Sequence, residues 1–184
     1  MLLYSGALGT WYLLEEMARF FSAVRRRQPA AHWLVLTAQP PEMVRAACRA
    51  QHIPPETVTV RAVPFAEMPE WLSLADGAVL FRRPGASLAG VCPTKIGECL
   101  ACGVPVAVNA GIGDCDALIA HHRVGVTVPH LSAEANDAAA GALLALSRDP
   151  ALRARCREAS ESFALERGVA RYAETYVQLV PHDE

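Results

Sequence analysis

The residues of this sequence best suited to chemistry form one short segment, Pro93-Thr94-Lys95-Ile96-Gly97-Glu98. Its proline predicts that a helix begins near Thr94. The free N–H groups and the dipole of a helix N-terminus attract anions, and Lys95 adds a mobile positive charge. Glu98 lies three residues after Lys95 on the same helical face, where it can accept the hydroxyls of a ribose. The alternative is a surface Lys95–Glu98 ion pair, contributing only about 0.2–0.5 kcal/mol.

A second feature is the small-residue turn at positions 5–10, which contains Gly6 and Gly9 and leads into a predicted helix at Gly9-Thr10. Glycines allow a backbone to approach a phosphate closely, and the helix start offers free N–H groups. The turn lacks the full G-x-G-x-x-G pattern, so the sequence gives little support to binding of a nicotinamide dinucleotide. A tight strand–helix turn without a ligand is an equal alternative.

A third feature is Arg82-Arg83, followed by Pro-Gly-Ala-Ser87, after a predicted strand. Guanidinium groups pair bidentately with phosphate oxygens, so two arginines at a strand end suit a diphosphate. The alternative is a basic loop exposed to solvent, and it is favoured for any Arg-Arg pair that stands alone.

Short apolar runs alternate with longer helical stretches and predict the elements that would position these residues. We expect strands at 2–4, 32–37, 57–61, 77–81, 104–108 and 125–128. We expect helices at 9–27, from 40, at 68–74, 94–102 and 113–122, and from 132 onward with breaks near 149–150 and 168. Buried strands alternating with helices predict an α/β fold with a doubly wound, Rossmann-like parallel sheet of about six strands and helices on both faces. All three features then lie at the carboxyl edge of that sheet.

Composition narrows the class of protein. A chain of 184 residues is expected to form one domain, spanning residues 1–184. Its net charge of −2 argues against a nucleic-acid binder. No apolar run reaches the length of a membrane span and no signal peptide is evident, so a cytoplasmic protein is expected. The six cysteines, including the C-x-x-C of Cys99 and Cys102, are interpreted as reduced core residues, and no metal site is predicted.

Residues 93–106, PTKIGECLACGVPV, resemble the segment written E-x-(M/L)-A-x-G-x-P-V in GT-B fold glycosyltransferases. They are most similar to a bacterial branch that reads roughly S-P-T-K-x-x-E-Y-L-A-C-G-L-P-V and continues into a G-x-G-D turn, here Gly111-Ile112-Gly113-Asp114. The opening, YSGALGTWY at 4–12, resembles the start of the same domain. The similarity extends over essentially the whole chain and identifies it as the C-terminal, donor-binding domain of a retaining glycosyltransferase of group 1.

The resemblance implies a role for each part of the site. Glu98 matches the glutamate that holds the ribose, while Lys95 and the backbone of Thr94 face the diphosphate, with Arg83 as a helper. The base lies near Val63 and Pro64, and Gly6 and Gly9 line the cleft toward the acceptor domain. Helix N-termini, Lys95 and an arginine stabilise the departing diphosphate, so no cofactor or obligatory metal is expected.

One position departs from the family pattern. Many members carry an earlier glutamate eight residues before the ribose glutamate, and that position is Gly90 here. Ser87 is the substitute candidate for the sugar contact, and the catalytic group stays unassigned. A non-catalytic nucleotide-sugar-binding or assembly subunit, or a GT-B nucleotide-sugar epimerase fragment, therefore stays open as an alternative.

The expected partners are a nucleotide-sugar donor and an N-terminal acceptor-binding domain, which is absent from this sequence or supplied by a partner chain. Alone, the domain should bind donor weakly and not transfer sugar. The resemblance implies that the complete enzyme is of the hexosyltransferase type. It also allows peripheral association of that enzyme with a membrane.

Overall fold

The structure, a computed structural model, describes residues 1–9, 11–91 and 93–179. Its centre is a six-stranded parallel sheet in the order β3-β2-β1-β4-β5-β6. The strands are β1 (Leu2–Ser5), β2 (Trp33–Leu36), β3 (Val58–Arg61), β4 (Gly77–Leu80), β5 (Val106–Asn109) and β6 (Gly125–Val128). The predicted fold class is confirmed, and each predicted strand is present within two residues of its expected limits.

The helices are α1 (Leu14–Arg27), α2 (Pro41–Ala50), α3 (Met68–Ser73), α4 (Thr94–Ala101), α5 (Cys115–His122), α6 (Ala133–Leu146), α7 (Leu152–Ser160) and α8 (Leu165–Leu179). Two helix termini carry residues typical of their positions. Gly103, just after α4, adopts φ +76, and the Ser132 side chain accepts a hydrogen bond from the N–H of Ala135 at the start of α6. Among the described residues, no helix combines the length and apolarity needed to cross a membrane.

Alternate side chains of each strand point to opposite faces of the sheet, and both faces are buried. On one face, Tyr4 and Trp33 pack against α1, α2 and α6. On the other, Leu3 and Leu34 belong to a cluster with α3, α4, α5 and α7. Burial on both sides explains why the strands read as continuous apolar runs.

The strand order reverses between β1 and β4, which makes the carboxyl end of these two strands the topological switch point of the sheet. Ligands of doubly wound folds bind in the crevice at such a point. The loops that follow β1 and β4 both leave the sheet there.

The predicted start of the first helix is wrong. It was placed at Gly9-Thr10, but α1 begins at Leu14 (Thr10 lies outside the described residues). The preceding segment is instead tied to the loop after β4. Trp11 C=O accepts a hydrogen bond from the N–H of Arg83 at 2.8 Å, and Leu13 N–H donates to Phe81 C=O at 3.0 Å. A long-range pairing therefore replaces the first turns of the helix.

The predicted break near residue 168 is also wrong. Gly168 lies inside α8, and the chain breaks at the short 3₁₀ turn Glu161–Phe163 instead. A glycine inside a helix costs only about 1 kcal/mol, which is not enough to end one. At Gly97 of α4, an added Cβ would lie 2.8 Å from Cγ of Phe163, so this turn packs closely on α4.

Candidate functional site

A cleft of about 340 Å³ lies at the carboxyl edge of β1, β2 and β3, closed on one side by α4. Four of the sequence-predicted site residues line it together: Gly6, Val63, Lys95 and Glu98. The other lining residues are Ser5, Ala7, Leu36, Thr37, Ala38, Gln39, Ala62, Phe65 and Met68. The structure thus brings the turn after β1, the end of β3 and the start of α4 around one space.

Lys95 and Gly6 are in direct contact. A Cβ added to Gly6 would lie 1.9 Å from Cε and 2.6 Å from Nζ of Lys95, so only glycine leaves room for this side chain. Gly6 has φ +124, which also favours glycine. Lys95 is the sole lysine of the chain, and the other 16 of its 17 Lys and Arg residues are arginine. The turn after β1 and the first turn of α4 are therefore matched to each other through one cation.

The end of the Lys95 side chain also lies on an aromatic ring, with Nζ 5.0 Å from the centroid of Tyr12. A cation this close to a ring face is attracted by the ring quadrupole. Over the part of the chain that the structure describes, Lys95 forms no ion pair with a carboxylate. The alternative of a Lys95–Glu98 surface ion pair is therefore not what the structure shows. The lysine charge is left available to an anion in the cleft.

Glu98 is half-buried and lines two cavities. One is the cleft, and the other is a groove of about 890 Å³ between α4 and α8. Thr94 is exposed and borders this groove rather than the cleft. Its position as the first residue of α4 still leaves its backbone N–H without an intrahelical partner.

The two arginines after β4 have different environments. Arg83 is exposed. Arg82 is half-buried, with Cζ 5.2 Å from the centroid of Tyr12. Its backbone N–H donates to Oδ1 of the buried Asn109 at 2.7 Å, and its own buried Nε has no hydrogen-bond partner in the described residues. The sequence pattern offered both arginines and the resemblance named Arg83, but Arg82 is the more confined of the two.

The remaining predicted residues lie around the cleft without lining it. Gly9 is exposed with φ +111 and has open space where a Cβ would stand. Pro64 immediately precedes the 3₁₀ turn that carries Phe65. Ser87 and Gly90 are exposed in the 3₁₀ turn Ala86–Gly90 of the loop after β4.

A polar network supports the turn after β1 from the neighbouring strand. The Thr37 hydroxyl donates to Oε1 of Gln39 at 2.7 Å, and the same oxygen accepts from the N–H of Leu8 at 3.3 Å. The N–H of Gly6 donates to Leu36 C=O at 2.8 Å. The turn is therefore held in position from β2 before any ligand arrives.

The site residues missed by sequence reasoning are Tyr12, Gln39, Phe65 and Met68. Tyr12 belongs to the segment 4–12 that carries the family resemblance, but it is not among the site residues predicted from the sequence. Phe65 offered one signal, because it closely follows a predicted strand end, and it is 84 % exposed at the cleft. Gln39 offered none, since its role depends on a turn 31 residues away.

The described cysteines do not line the cleft. Cys48, Cys99 and Cys156 are buried free thiols, and burial raises the pKa of all three, that of Cys48 and Cys156 to about 11. Cys102 is a half-buried free thiol, and Cys92 lies outside the described residues. Within the described ranges, no three His, Cys, Asp or Glu side chains converge as they would around a metal ion.

Comparison with known proteins identifies the family of the chain. The model of a family described as glycosyl transferases group 1 matches residues 1–149. No curated protein matches the sequence significantly.

Several solved structures share the fold. WaaG, a glycosyltransferase involved in lipopolysaccharide biosynthesis, is 17 % identical with a TM-score of 0.67, over 87 % of this chain and 42 % of WaaG. The pneumococcal O-GlcNAc transferase GtfA, in complex with UDP and GlcNAc, is 14 % identical with a TM-score of 0.70, over 99 % and 36 %. AviGT4, a glycosyltransferase involved in avilamycin A biosynthesis, is 21 % identical with a TM-score of 0.63, over 97 % and 51 %. This chain spans about half or less of the length of these proteins.

Proposed function

The chain belongs to the glycosyl transferases group 1 family, and we propose that its cleft binds the nucleoside diphosphate of a nucleotide-sugar donor. One observation carries the proposal: the sole lysine, the ribose-matching glutamate, the glycine turn and the end of β3 line one cleft at the carboxyl edge of the sheet.

The diphosphate end of the donor is assigned to Gly6, Lys95 and the N-terminus of α4. Lys95 lies in contact with Gly6 and has no carboxylate partner among the described residues, so an anion there would meet an available charge. The N–H groups at the start of α4 add donors and the favourable end of the helix dipole. Glu98, one turn further along the helix, is placed to accept the ribose hydroxyls.

The base is assigned to the opposite wall of the cleft, at the end of β3. Val63 and the exposed ring of Phe65 line this wall. An aromatic ring with this much free surface offers a stacking face to a base of any identity. The geometry supports a nucleoside diphosphate as a class without selecting between uridine, guanosine and adenosine.

In the complete enzyme, glycosyl transfer separates the sugar from a departing diphosphate, which gains negative charge. Lys95, an arginine and the α4 N-terminus would stabilise that charge, without reorganising as it forms. The acceptor and its binding groups are assigned to a further domain or partner chain, consistent with relatives that are at least about twice as long as this chain. One related solved structure is described as a GtfA/B complex, so association with a second chain has a precedent in this fold.

A non-catalytic donor-binding subunit is the second candidate, and the exposed Gly90 at the position of the family's earlier glutamate favours it. A Gly90 variant does not separate the candidates, because both bind donor. The two candidates are separated by an assay of sugar transfer in which the chain is supplemented with an acceptor-binding partner. Turnover supports the enzyme, while binding without turnover supports the subunit.

The proposal itself is tested by isothermal titration calorimetry with UDP, GDP and ADP. We expect one of the three to bind, and Glu98→Ala to weaken it by about 10-fold, the effect of losing hydrogen bonds to a charged acceptor. Glu161→Ala is the matched control, because Glu161 borders only the neighbouring groove. No binding of any of the three at millimolar concentration would overturn the proposal.

A further inference from the structure

The Tyr12 ring lies at the centre of the cationic part of the site. Lys95 Nζ lies 5.0 Å and Arg82 Cζ 5.2 Å from its centroid. Since both distances end at one point, the two charged groups lie within about 10 Å of each other. Lys95 comes from α4 and Arg82 from the loop after β4, so one side chain in the loop after β1 connects all three segments.

Two like charges at this separation repel each other, and an anion that binds near both relieves the repulsion. In the described residues neither cation forms an ion pair with a carboxylate, and the buried Nε of Arg82 has no hydrogen-bond partner. The negative face of an aromatic ring attracts a cation without neutralising it. Tyr12 therefore orients both side chains and leaves their charge available.

The Tyr12 ring is itself held in place. It lies edge-on to the buried ring of Tyr4 in β1, with 5.8 Å between centroids, and Tyr4 donates a hydrogen bond to Ala7 C=O at 2.5 Å. The Tyr12 backbone pairs with Arg82 in an antiparallel bridge. These contacts restrict the ring before ligand arrives, which is what a positioning residue requires.

We propose that Tyr12 positions Lys95 and Arg82 for the diphosphate, and that Arg82, rather than the exposed Arg83, is the arginine of this site. The inference deepens the donor site and rests on the proposed function for its ligand. The contact of Lys95 with the Tyr12 ring is present in the protein without nucleotide, so the positioning role can be tested in the free protein as well.

The free protein is tested by NMR on protein labelled with lysine carrying ¹³C at Cε, which gives a single side-chain signal because the chain has one lysine. We expect the ring to shift the ε-methylene protons upfield of free lysine. Tyr12→Phe should keep this shift, and Tyr12→Leu should abolish it while circular dichroism shows the fold intact. An unchanged Lys95 signal in Tyr12→Leu would overturn the positioning role.

The ligand is tested by calorimetry with whichever of UDP, GDP and ADP binds best, beside its nucleoside. Tyr12→Leu should weaken the diphosphate about 10-fold or more and leave the nucleoside unchanged, whereas Tyr12→Phe should stay within about 3-fold. If Tyr12 has only a structural role, Tyr12→Leu should lower the affinities for nucleoside and nucleoside diphosphate alike, and that result would overturn the inference.

The choice of arginine is tested by Arg82→Gln beside Arg83→Gln, which does not depend on folding of a Tyr12 variant. A larger loss of diphosphate affinity in Arg82→Gln supports the inference, and a larger loss in Arg83→Gln overturns it. If the unaltered protein binds no nucleoside diphosphate, the proposed function fails and the Arg82 assignment fails with it. The lysine signal still decides the role of Tyr12 in that case.

Discussion

The substitution Gly6→Ala separates the role of Lys95 from the stability of the turn that surrounds it. The new Cβ would lie 1.9 Å from Cε of Lys95, far inside van der Waals contact, so the lysine must leave its position. Gly9→Ala is a matched control. Gly9 has φ +111 beside +124 for Gly6, but apart from its chain neighbours no atom of the described residues lies within 4 Å of its added Cβ.

The two variants should lose similar amounts of stability. An alanine forced into a positive-φ conformation costs about 1–3 kcal/mol. The clash at Gly6 adds little to this, because the end of a flexible lysine side chain can move away. The two variants should differ in ligand affinity instead. Loss of one charge-assisted contact costs about 1.5–3 kcal/mol, which corresponds to about 10- to 150-fold weaker binding.

The assay compares urea unfolding with calorimetric binding of nucleoside diphosphate for both variants. We expect equal unfolding free energies within about 1 kcal/mol and a selective loss of affinity in Gly6→Ala. Equal affinities in the two variants would refute the reasoning, because they would show that the contact between Gly6 and Lys95 is irrelevant to the ligand.

Three further predictions concern the wall of the cleft, the core and the end of α4. Phe65→Ala should weaken nucleoside and nucleoside diphosphate by the same factor, about 5- to 100-fold for a stacking contact, with no change in melting temperature because the ring is exposed. Burial raises the pKa of Cys48 and Cys156 from about 9 to about 11, so the folded state favours the neutral thiol. The contribution of the two neutral thiols to the free energy of unfolding is complete below pH 9 and is lost as the pH rises toward 11. Between pH 8 and pH 10, the free energy of urea unfolding should therefore decrease less in Cys48→Ala than in the unaltered protein. Gly103→Ala should destabilise the fold by about 1–3 kcal/mol, because Gly103 has φ +76. Its added Cβ would also contact α7, so the loss should exceed that of the control Gly111→Ala, where φ is +84 but no described atom lies near the added Cβ. Equal urea unfolding midpoints for the two variants would contradict this.

The sheet could be predicted from the sequence because its strands are buried on both faces. Continuous apolar runs such as Trp33–Leu36 and Gly77–Leu80 are typical of strands buried on both faces, and the intervening helical patterns impose parallel crossovers. The proximity of Gly6, Lys95 and Glu98 follows from the same logic, since the carboxyl ends of parallel strands share one edge.

The errors arose where a long-range contact overrode a local signal. Gly9-Thr10 resembles a helix start, but the residues after it pair with the loop that follows β4, and α1 begins at Leu14. Helical periodicity placed Lys95 and Glu98 on one face without revealing that Lys95 lies against Gly6 and Tyr12. Local sequence likewise could not distinguish Arg82 from Arg83, because burial of one and exposure of the other depend on a tertiary partner.

The central claim is that the cleft lined by Gly6, Lys95 and Glu98 binds a nucleoside diphosphate. Its most direct test is a titration of UDP, GDP and ADP into the protein labelled at its sole lysine, followed by the ¹³Cε signal of Lys95. The account predicts that one nucleotide moves this signal with saturation, and that the corresponding nucleoside moves it far less. A Lys95 signal that stays in place with all three nucleotides at millimolar concentration would contradict it.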